Sequence, residues 1–210
     1  MRFDECKGWA RGSHDNRIKC PPNIEYPSPP AKVKLLFIGW NPPSSAHFWN
    51  NREDNLLNDM TWVFEQLGWL HKPDLWQVFG ERSFYLVHAV KCWQEAKFLW
   101  DVPGLVETCP RNLLFKNIEE LNPETICAMG KLPHKALRAI WPSAVPAKIS
   151  LGKGWCKNVQ GRKVIVTTFP NWHWNASEKR ANRECTVSAL GRWMEVSQNG
   201  SESGDSFGEG

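Results

Sequence analysis

The stretch VKLLFIGWNPPS, residues 33–44, decides how this chain folds. Its first half, 33–38, is a short apolar run of the kind that forms a strand buried on both faces. Its second half, 39–44, combines glycine with two consecutive prolines, which end a strand in a rigid turn. The stretch therefore predicts a buried strand that carries a shaped loop at its carboxyl end.

Three further apolar runs share this character: Phe84–Val90, Thr125–Met129 and Lys163–Thr168. Helical segments with one apolar face alternate with them, namely Asp54–Leu67, Pro110–Leu121, Pro133–Ile140 and Lys179–Val196. This alternation predicts an α/β protein, a three-layer α/β/α sandwich with a central, mainly parallel four-stranded sheet. Ligands of such folds bind beyond the carboxyl ends of the strands.

The two ends of the chain differ from this core. Residues 1–31 are polar and rich in turn-forming residues, and we expect an irregular arm that contains two cysteines. Residues 197–210 are mostly glycine, serine and acidic residues, which predicts a disordered tail. A single domain is therefore expected over residues 1–196.

The composition narrows the class of protein. An apolar share of 41% and a charged share of 23% are typical of globular proteins, and no stretch approaches the about 20 apolar residues of a membrane span. The N-terminus has no apolar signal core, so we expect a cytoplasmic protein, and a monomer. In that compartment seven cysteines favour metal binding over disulfides. Thirteen tryptophans and a net charge of +4 permit a nucleic-acid partner.

Unusual residues follow three of the four predicted strands. The loop Gly39–Ser44 presents Asn41, although a plain strand-exit turn has the same composition. The second run contains His88 near its end and leads to Cys92, and the fourth leads into the segment 167–175, TTFPNWHWN. Because the carboxyl ends of parallel strands share one edge of a sheet, these clusters are expected to lie around one cleft.

Together these segments resemble the motifs of the uracil-DNA glycosylase superfamily, and in particular of its iron–sulfur branch. LLFIGWNPPS is similar to the Gly-x-Asn-Pro first motif, which implies that Asn41 positions the water that attacks the sugar C1′. Trp40 stands where the iron–sulfur branch commonly has an acidic residue. Just downstream, Phe48 or, as second choice, Trp49 is implied to stack on the flipped base, unless both rings belong to the core.

The segment YLVHAVKC resembles the pattern Ile-x-Asn-x-Val-Lys-Cys, with His88 in place of the asparagine that reads the base. A neutral imidazole offers one donor and one acceptor on opposite ring edges, so it cannot copy the paired contacts of an amide. His88 is implied to contact a base carbonyl. The alternative is a buried histidine that is hydrogen-bonded within the sheet.

The segment 167–175 resembles the superfamily's second motif, in which a histidine stabilises charge on uracil O2. Phe169 replaces that histidine and Asn171 replaces the following serine, while His173 lies close enough to supply a donor instead. Its neighbours Trp172 and Trp174 suit a wedge or a stacking surface. Further cations are predicted to contact phosphates or else to be ordinary surface, namely Lys153, Lys157, Lys179, Arg180 and Arg183.

The same resemblance implies a 4Fe–4S cluster held by Cys6, Cys20, Cys92 and Cys109. The chain departs from the family here, since thirteen residues separate the first two cysteines where a Cys-x-x-Cys is usual. Zinc on the same thiolates is the alternative, and scattered buried thiols without a metal are another. Of the remaining cysteines, two are interpreted as core thiols and one as a spare ligand in the loop 152–158: Cys127, Cys185 and Cys156.

The resemblance thus implies a DNA glycosylase that flips uracil or a related deaminated base and excises it by water attack. We expect a monofunctional enzyme, because no lysine obviously serves as a Schiff-base nucleophile. A variant in which a histidine captures the sugar covalently stays open. The alternative is a binding protein of the same fold, inactive or weakly active, that holds damaged or single-stranded DNA. A small-molecule α/β enzyme is a more remote possibility.

Overall fold

The computed structural model describes residues 26–40, 49, 55–70, 74–90, 109–170 and 175–199. Within these residues, five strands form one sheet in the order β2-β1-β3-β5-β4. The strands are β1 (Leu35–Gly39), β2 (Phe84–His88), β3 (Thr125–Met129), β4 (Trp155–Val159) and β5 (Arg162–Thr167). All neighbouring pairs are parallel except β4 with β5. The predicted α/β class and mainly parallel sheet are confirmed.

The prediction of four strands was one too few, because β4 was interpreted as a loop. Three of its five residues are exposed, so WCKNV lacks the apolar run by which the other strands were recognised. The strand forms through a tight hairpin with β5. Its turn, Gln160-Gly161, has positive φ at both positions (50° and 78°), as the two-residue turns that fit twisted hairpins do. Cys156 accordingly lies in an edge strand and not in a loop.

The described helices are α1 (Asn55–Gln66), α2 (Leu75–Glu81), α3 (Phe115–Leu121), α4 (Lys131–Ile140) and α5 (Ala176–Asn199). Four of them match the predicted helical segments, and a π-helical turn, Pro110–Leu114, precedes α3. Helix α2 was not predicted, since seven residues are too few to show a period; the Asp74 carboxylate caps it by accepting from Trp76 N at 3.0 Å. None of the helices in the described residues has the length and apolar character needed to cross a membrane.

Alternate residues of the inner strands pack against helices on both sides of the sheet. Leu36 and Ile38 face the layer of α3 and α4, whereas Leu35 and Phe37 face α1, α2 and α5. All four side chains are fully buried. Burial on both faces explains why the strands appear in the sequence as continuous apolar runs.

The carboxyl ends of the parallel strands meet at one edge of the sheet. There Gly39 pairs in register with His88, and Met129 pairs with Thr167. Helix α5 runs on to Asn199, three residues into the segment predicted to be a tail, and residues 1–25 and 200–210 lie outside the described part of the chain.

Candidate functional site

Gly39 and His88 lie side by side at the ends of β1 and β2. A Cβ atom on Gly39 would come within 3.4 Å of His88 Cδ2 and 3.9 Å of Nε2. Glycine therefore lets one edge of the imidazole lie close against the end of β1, immediately before Trp40. His88 is 3% exposed, so only an edge of its ring can face a ligand.

The other edge of His88 contacts the N-terminal arm. Tyr26 Oη lies 2.7 Å from His88 Nδ1, with the ring centroids 6.0 Å apart. A second bond ties the arm to the same strand, since Tyr85 Oη donates to the Pro27 carbonyl at 2.6 Å. His88 is thus buried and hydrogen-bonded, and the arm residue Tyr26 is one partner of its side chain.

Trp40 and Phe169, which follow β1 and β5 at this edge of the sheet, contact each other. Their ring centroids are 5.7 Å apart at an interplanar angle of 37°. Gly130, which follows β3, lies beneath both: a Cβ there would be 2.6 Å from Trp40 Nε1 and 3.0 Å from Phe169 Cβ. An aromatic pair therefore occupies the two positions at which the resemblance implies an acidic residue and a histidine.

A cavity of about 600 Å³ opens beside this aromatic pair. Its second wall is the face of α4 that carries Lys131, Lys135 and Arg138, at positions i, i+4 and i+7, all three exposed. Thr168 and Asn182 add polar groups. Among the described residues that line the cavity, none is acidic, so its rim favours an anionic ligand. Gly39 and His88 are not among its lining residues.

The cations predicted on α5 are engaged within the protein. Lys179 Nζ lies 3.0 Å from Asp59 Oδ1, and the Arg183 guanidinium binds the same oxygen. Asp59 belongs to α1 and is fully buried. Arg180 forms an exposed ion pair with Glu184 one turn along the helix, with Nε donating at 2.7 Å. These side chains join α5 to α1 or to itself.

Trp49, the second choice for stacking on a base, packs against the core. Its ring lies 5.4 Å from that of Phe79 and 5.3 Å from that of Tyr85, and its Nε1 donates to the Leu86 carbonyl at 3.1 Å. These contacts hold Trp49 between α2 and β2.

Four cysteines fall in the described residues, and none of them forms a disulfide. Cys109 is 6% exposed and lies in the same apolar cluster as the arm residue Tyr26. Cys127 is fully buried in β3, as expected for a core thiol, whereas Cys185 on α5 is only partly buried. Within the described part of the chain, no group of three or more side chains is arranged to hold a metal ion.

The remaining predicted site residues lie outside the described residues. They are Asn41, Phe48, Asn171, Trp172, His173 and Trp174, together with the cysteines Cys6, Cys20 and Cys92.

Sequence reasoning missed three features of this edge. The basic face of α4 could have been predicted from the sequence, because its three cations follow the end of a predicted strand at helical spacing. Asp59 was also readable, as a carboxylate on the apolar face of a predicted helix. Tyr26 gave no signal, since its contact with His88 spans 62 positions of the chain.

The family model of the uracil DNA glycosylase superfamily matches residues 27–190, which include all five strands and helices α1 to α4. No curated protein matches the chain.

Proposed function

Because this chain belongs to the uracil DNA glycosylase superfamily, we propose that it is a monofunctional DNA glycosylase that removes uracil or a related deaminated base. The flipped nucleotide enters the cleft, water attacks the sugar C1′ and the base leaves as an anion. The observation that supports this best is the cavity itself. It lies at the carboxyl edge of the sheet and is bordered by Trp40 and Phe169, which belong to the two motif segments 39–44 and 167–175.

DNA would be held by the basic wall of this cavity. Lys131 and Arg138 form no ion pair with any described residue, whereas Lys179, Arg180 and Arg183 each have an acidic partner. A cation that is already paired releases fewer counterions when it meets a phosphate. We therefore favour α4 over α5 as the main surface for the backbone, with Lys179 and Arg180 as secondary contacts.

The catalytic roles follow from the resemblance. Asn41 would position the attacking water, and His173 would donate to the departing base, a role that Phe169 cannot fill. Phe48 would stack on the base, and Asn171 would border it. Trp172 and Trp174 would fill the space that the base leaves in the duplex. In this scheme water is the nucleophile and no covalent intermediate forms.

His88 would recognise the base, while Gly39 and Trp40 would shape the pocket beside it. The described geometry supports this role in one respect: glycine at position 39 leaves the Nε2 edge of the imidazole against the end of β1, where the first motif loop begins. Recognition of one carbonyl needs only this edge, so the deep burial of the ring is compatible with it.

A cofactor belongs to the same proposal: a 4Fe–4S cluster, or alternatively zinc, bound by Cys6, Cys20, Cys92 and Cys109. Its support is the position of the arm. Tyr26 lies six residues after Cys20, the second of these cysteines, and packs against the apolar core cluster that contains Cys109. Six extended residues span about 20 Å, which is the reach of the chain between Cys20 and Tyr26. A bound iron–sulfur cluster would fix the arm to the domain.

A brown protein with broad absorption near 400 nm supports iron–sulfur, and a colourless protein with one equivalent of zinc supports the alternative.

The activity is tested with labelled oligonucleotides that carry uracil, hypoxanthine, xanthine or a mismatch, each in single- and double-stranded form. Incubation followed by hot alkali cleaves the strand only where a base has been removed. Cleavage at one or more of these bases, and none with Asn41→Ala, is the expected result. An unmodified oligonucleotide is the control for contaminating nuclease.

A binding protein of the same fold is the second candidate. Phe169 favours it, because the ring that replaces the motif histidine packs on Trp40 and has no hydrogen-bond donor. Tight binding of an oligonucleotide with no base removal from any substrate would select this candidate. Failure to bind any oligonucleotide would exclude both.

A further inference from the structure

A second cavity, of about 360 Å³, lies between the β4–β5 hairpin and α5. Among the described residues, it shares none with the cavity beside Trp40. Cys156 pairs in register with Ile165, and Asn158 pairs with Lys163. Side chains that are directly opposite in an antiparallel pair point to the same face of the sheet. Because Ile165 packs in the apolar cluster that includes residues of α5, all four side chains are on the α5 side of the sheet.

Helix α5 supplies a fixed cation to this cavity. Ala189 and Arg192 both line it, three positions apart on one face of the helix. Arg192 donates from Nη2 to the Lys153 carbonyl at 2.9 Å and from Nε to the Ser188 carbonyl at 3.3 Å. A guanidinium has five N–H groups, so these two bonds orient Arg192 and leave three donors for a ligand.

Lys163 supplies a second cation. Its Nζ is buried and has no hydrogen-bond partner among the described residues, which is unfavourable for an ammonium group. The residue as a whole is only partly buried and lines the cavity, so rotation of its flexible stem brings Nζ to an anion there. None of the described lining residues is acidic. Burial raises the pKa of the Cys156 thiol above its ordinary value, so the thiol adds no negative charge at neutral pH.

We propose that this cavity is a binding site for a small phosphate monoester, such as a mononucleotide, with Lys163 and Arg192 as its two cations. A monoester carries up to two negative charges, so it matches two cations better than a carboxylate or a phosphodiester does. The guanidinium can donate two parallel hydrogen bonds to phosphate oxygens. The volume lies within the range of small-molecule sites, about 300 to 1,000 Å³, and Ile165 and Ala189 give the organic part an apolar floor.

Cys156 reports whether the cavity is occupied, because it lines the cavity and is exposed. The full-length protein is treated with iodoacetamide, and alkylation of the peptide that contains Cys156 is followed by mass spectrometry. Deoxycytidine monophosphate at about ten times its Kd should slow this reaction about tenfold, because only the free protein reacts. Sodium chloride at the same ionic strength should not slow it. No protection by the nucleotide at millimolar concentration would overturn the proposal.

Lys163→Met removes the ammonium group and keeps the aliphatic stem. Loss of one charge-assisted hydrogen bond should weaken binding about ten- to a hundredfold, so most of the protection should disappear. Lys34→Met is the matched control, since this exposed lysine precedes β1 and does not line the cavity, and it should keep the protection. Undiminished protection in Lys163→Met would show that the nucleotide shields Cys156 from outside the cavity, and the proposal would fail.

Thermal unfolding separates loss of the site from loss of the fold. Because Lys163→Met removes a buried charge without a partner, its Tm should equal or exceed that of the unaltered protein. Deoxycytidine monophosphate should raise the Tm of the unaltered protein and not that of the variant. Arg192→Gln changes an exposed position and should weaken the protection by a similar factor, so the result does not depend on one variant.

An oligonucleotide without a terminal phosphate tests the backbone of DNA as the ligand. It should leave the alkylation of Cys156 unchanged. Protection by this oligonucleotide that Lys163→Met abolishes would place a phosphodiester in the cavity and overturn the assignment to a monoester. The test needs no base excision, so the proposed function and this site stand or fall separately.

Discussion

Gly130 has a φ of +95° and lies beneath the two rings of the cavity. A side chain there would strain the backbone and collide with Trp40 at 2.6 Å, and the Trp40 ring is too tightly packed to yield easily. Gly130→Ala should therefore lower the free energy of unfolding by about 2 to 4 kcal/mol. Urea titration followed by tryptophan fluorescence measures this change.

Gly68→Ala separates strain from collision. Gly68 has a φ of +64°, but a Cβ there has no neighbour within 4 Å, so we expect a loss of only about 1 kcal/mol. If both variants lose the same free energy, the aromatic pair can shift aside, and its packing is looser than its geometry suggests.

At the scale of elements, Asp59 joins α1 to α5. Replacing it by asparagine leaves Lys179 and Arg183 without a charged partner beside a fully buried position. These two side chains are 25% and 22% exposed, so water would partly compensate. We expect Asp59→Asn to cost about 2 to 4 kcal/mol in the free energy of unfolding, measured by chemical denaturation.

The control for that experiment is the exposed ion pair on α5. Glu184→Gln removes a carboxylate that also has an arginine partner, but this pair is exposed to water, where such pairs contribute little to stability. A similar loss for the two variants would show that the Asp59 interactions do not hold the helices together.

The attachment of the arm to β2 should depend on pH. Burial raises the pKa of Tyr85 from 10 to about 12. Above pH 10 the unfolded chain loses this proton while the folded chain keeps it, so stability is intact below pH 10 and falls by about 2 to 3 kcal/mol as the pH rises through 12. Tyr85→Phe should be about 1 kcal/mol less stable at pH 9, where it lacks the bond to Pro27, and should lose less stability above pH 10.

Urea midpoints of the two proteins at pH 9, 10, 11 and 12 decide this prediction. Parallel curves over the whole range would contradict it.

Helices and strands were predictable from the sequence where buried apolar side chains recur at a regular spacing. Strand β3 has the predicted bounds, and α1 differs from its prediction by one residue at each end, because both bury apolar side chains at regular spacing. Strand β4 and helix α2 escaped, the first because an edge strand exposes most of its side chains and the second because it makes only two turns. Their presence depends on contacts with distant elements, which a local pattern does not contain.

At the scale of the whole molecule, the parallel sheet brings distant parts of the chain to one edge. Position at or near the carboxyl end of a strand was enough to select Gly39, His88 and Phe169 as neighbours of that edge. Their contacts were not predictable: Phe169 packs on Trp40 across 129 positions of the sequence, and only the order of the strands brings them together.

The charge distribution over the molecule leads to a prediction for DNA binding. If Lys131 and Arg138 each contact a phosphate, replacing both by glutamine should lower the slope of log K against log salt concentration by about 1.8. Fluorescence anisotropy with a labelled oligonucleotide at several salt concentrations measures the slope.

Lys32→Gln with Lys34→Gln is the control, since it removes the same charge from two exposed residues, of which Lys32 pairs with Glu124 in the unaltered protein. Both precede β1, at the end of the sheet opposite the cavity. The control should leave the slope unchanged. Equal slopes for the two double variants would place the DNA on another surface.

The hairpin that adds β4 has a consequence for solubility. An open sheet edge offers unpaired N–H and C=O groups to a strand of another molecule, and such pairing begins aggregation. The described outer strand on this side is β4, which presents Cys156, Lys157 and Asn158 to solvent. A lysine at the middle of an edge strand disfavours a further strand, because its charge would have to lose water. Because the sheet ends in this polar, antiparallel strand, concentrated protein is protected from forming fibres.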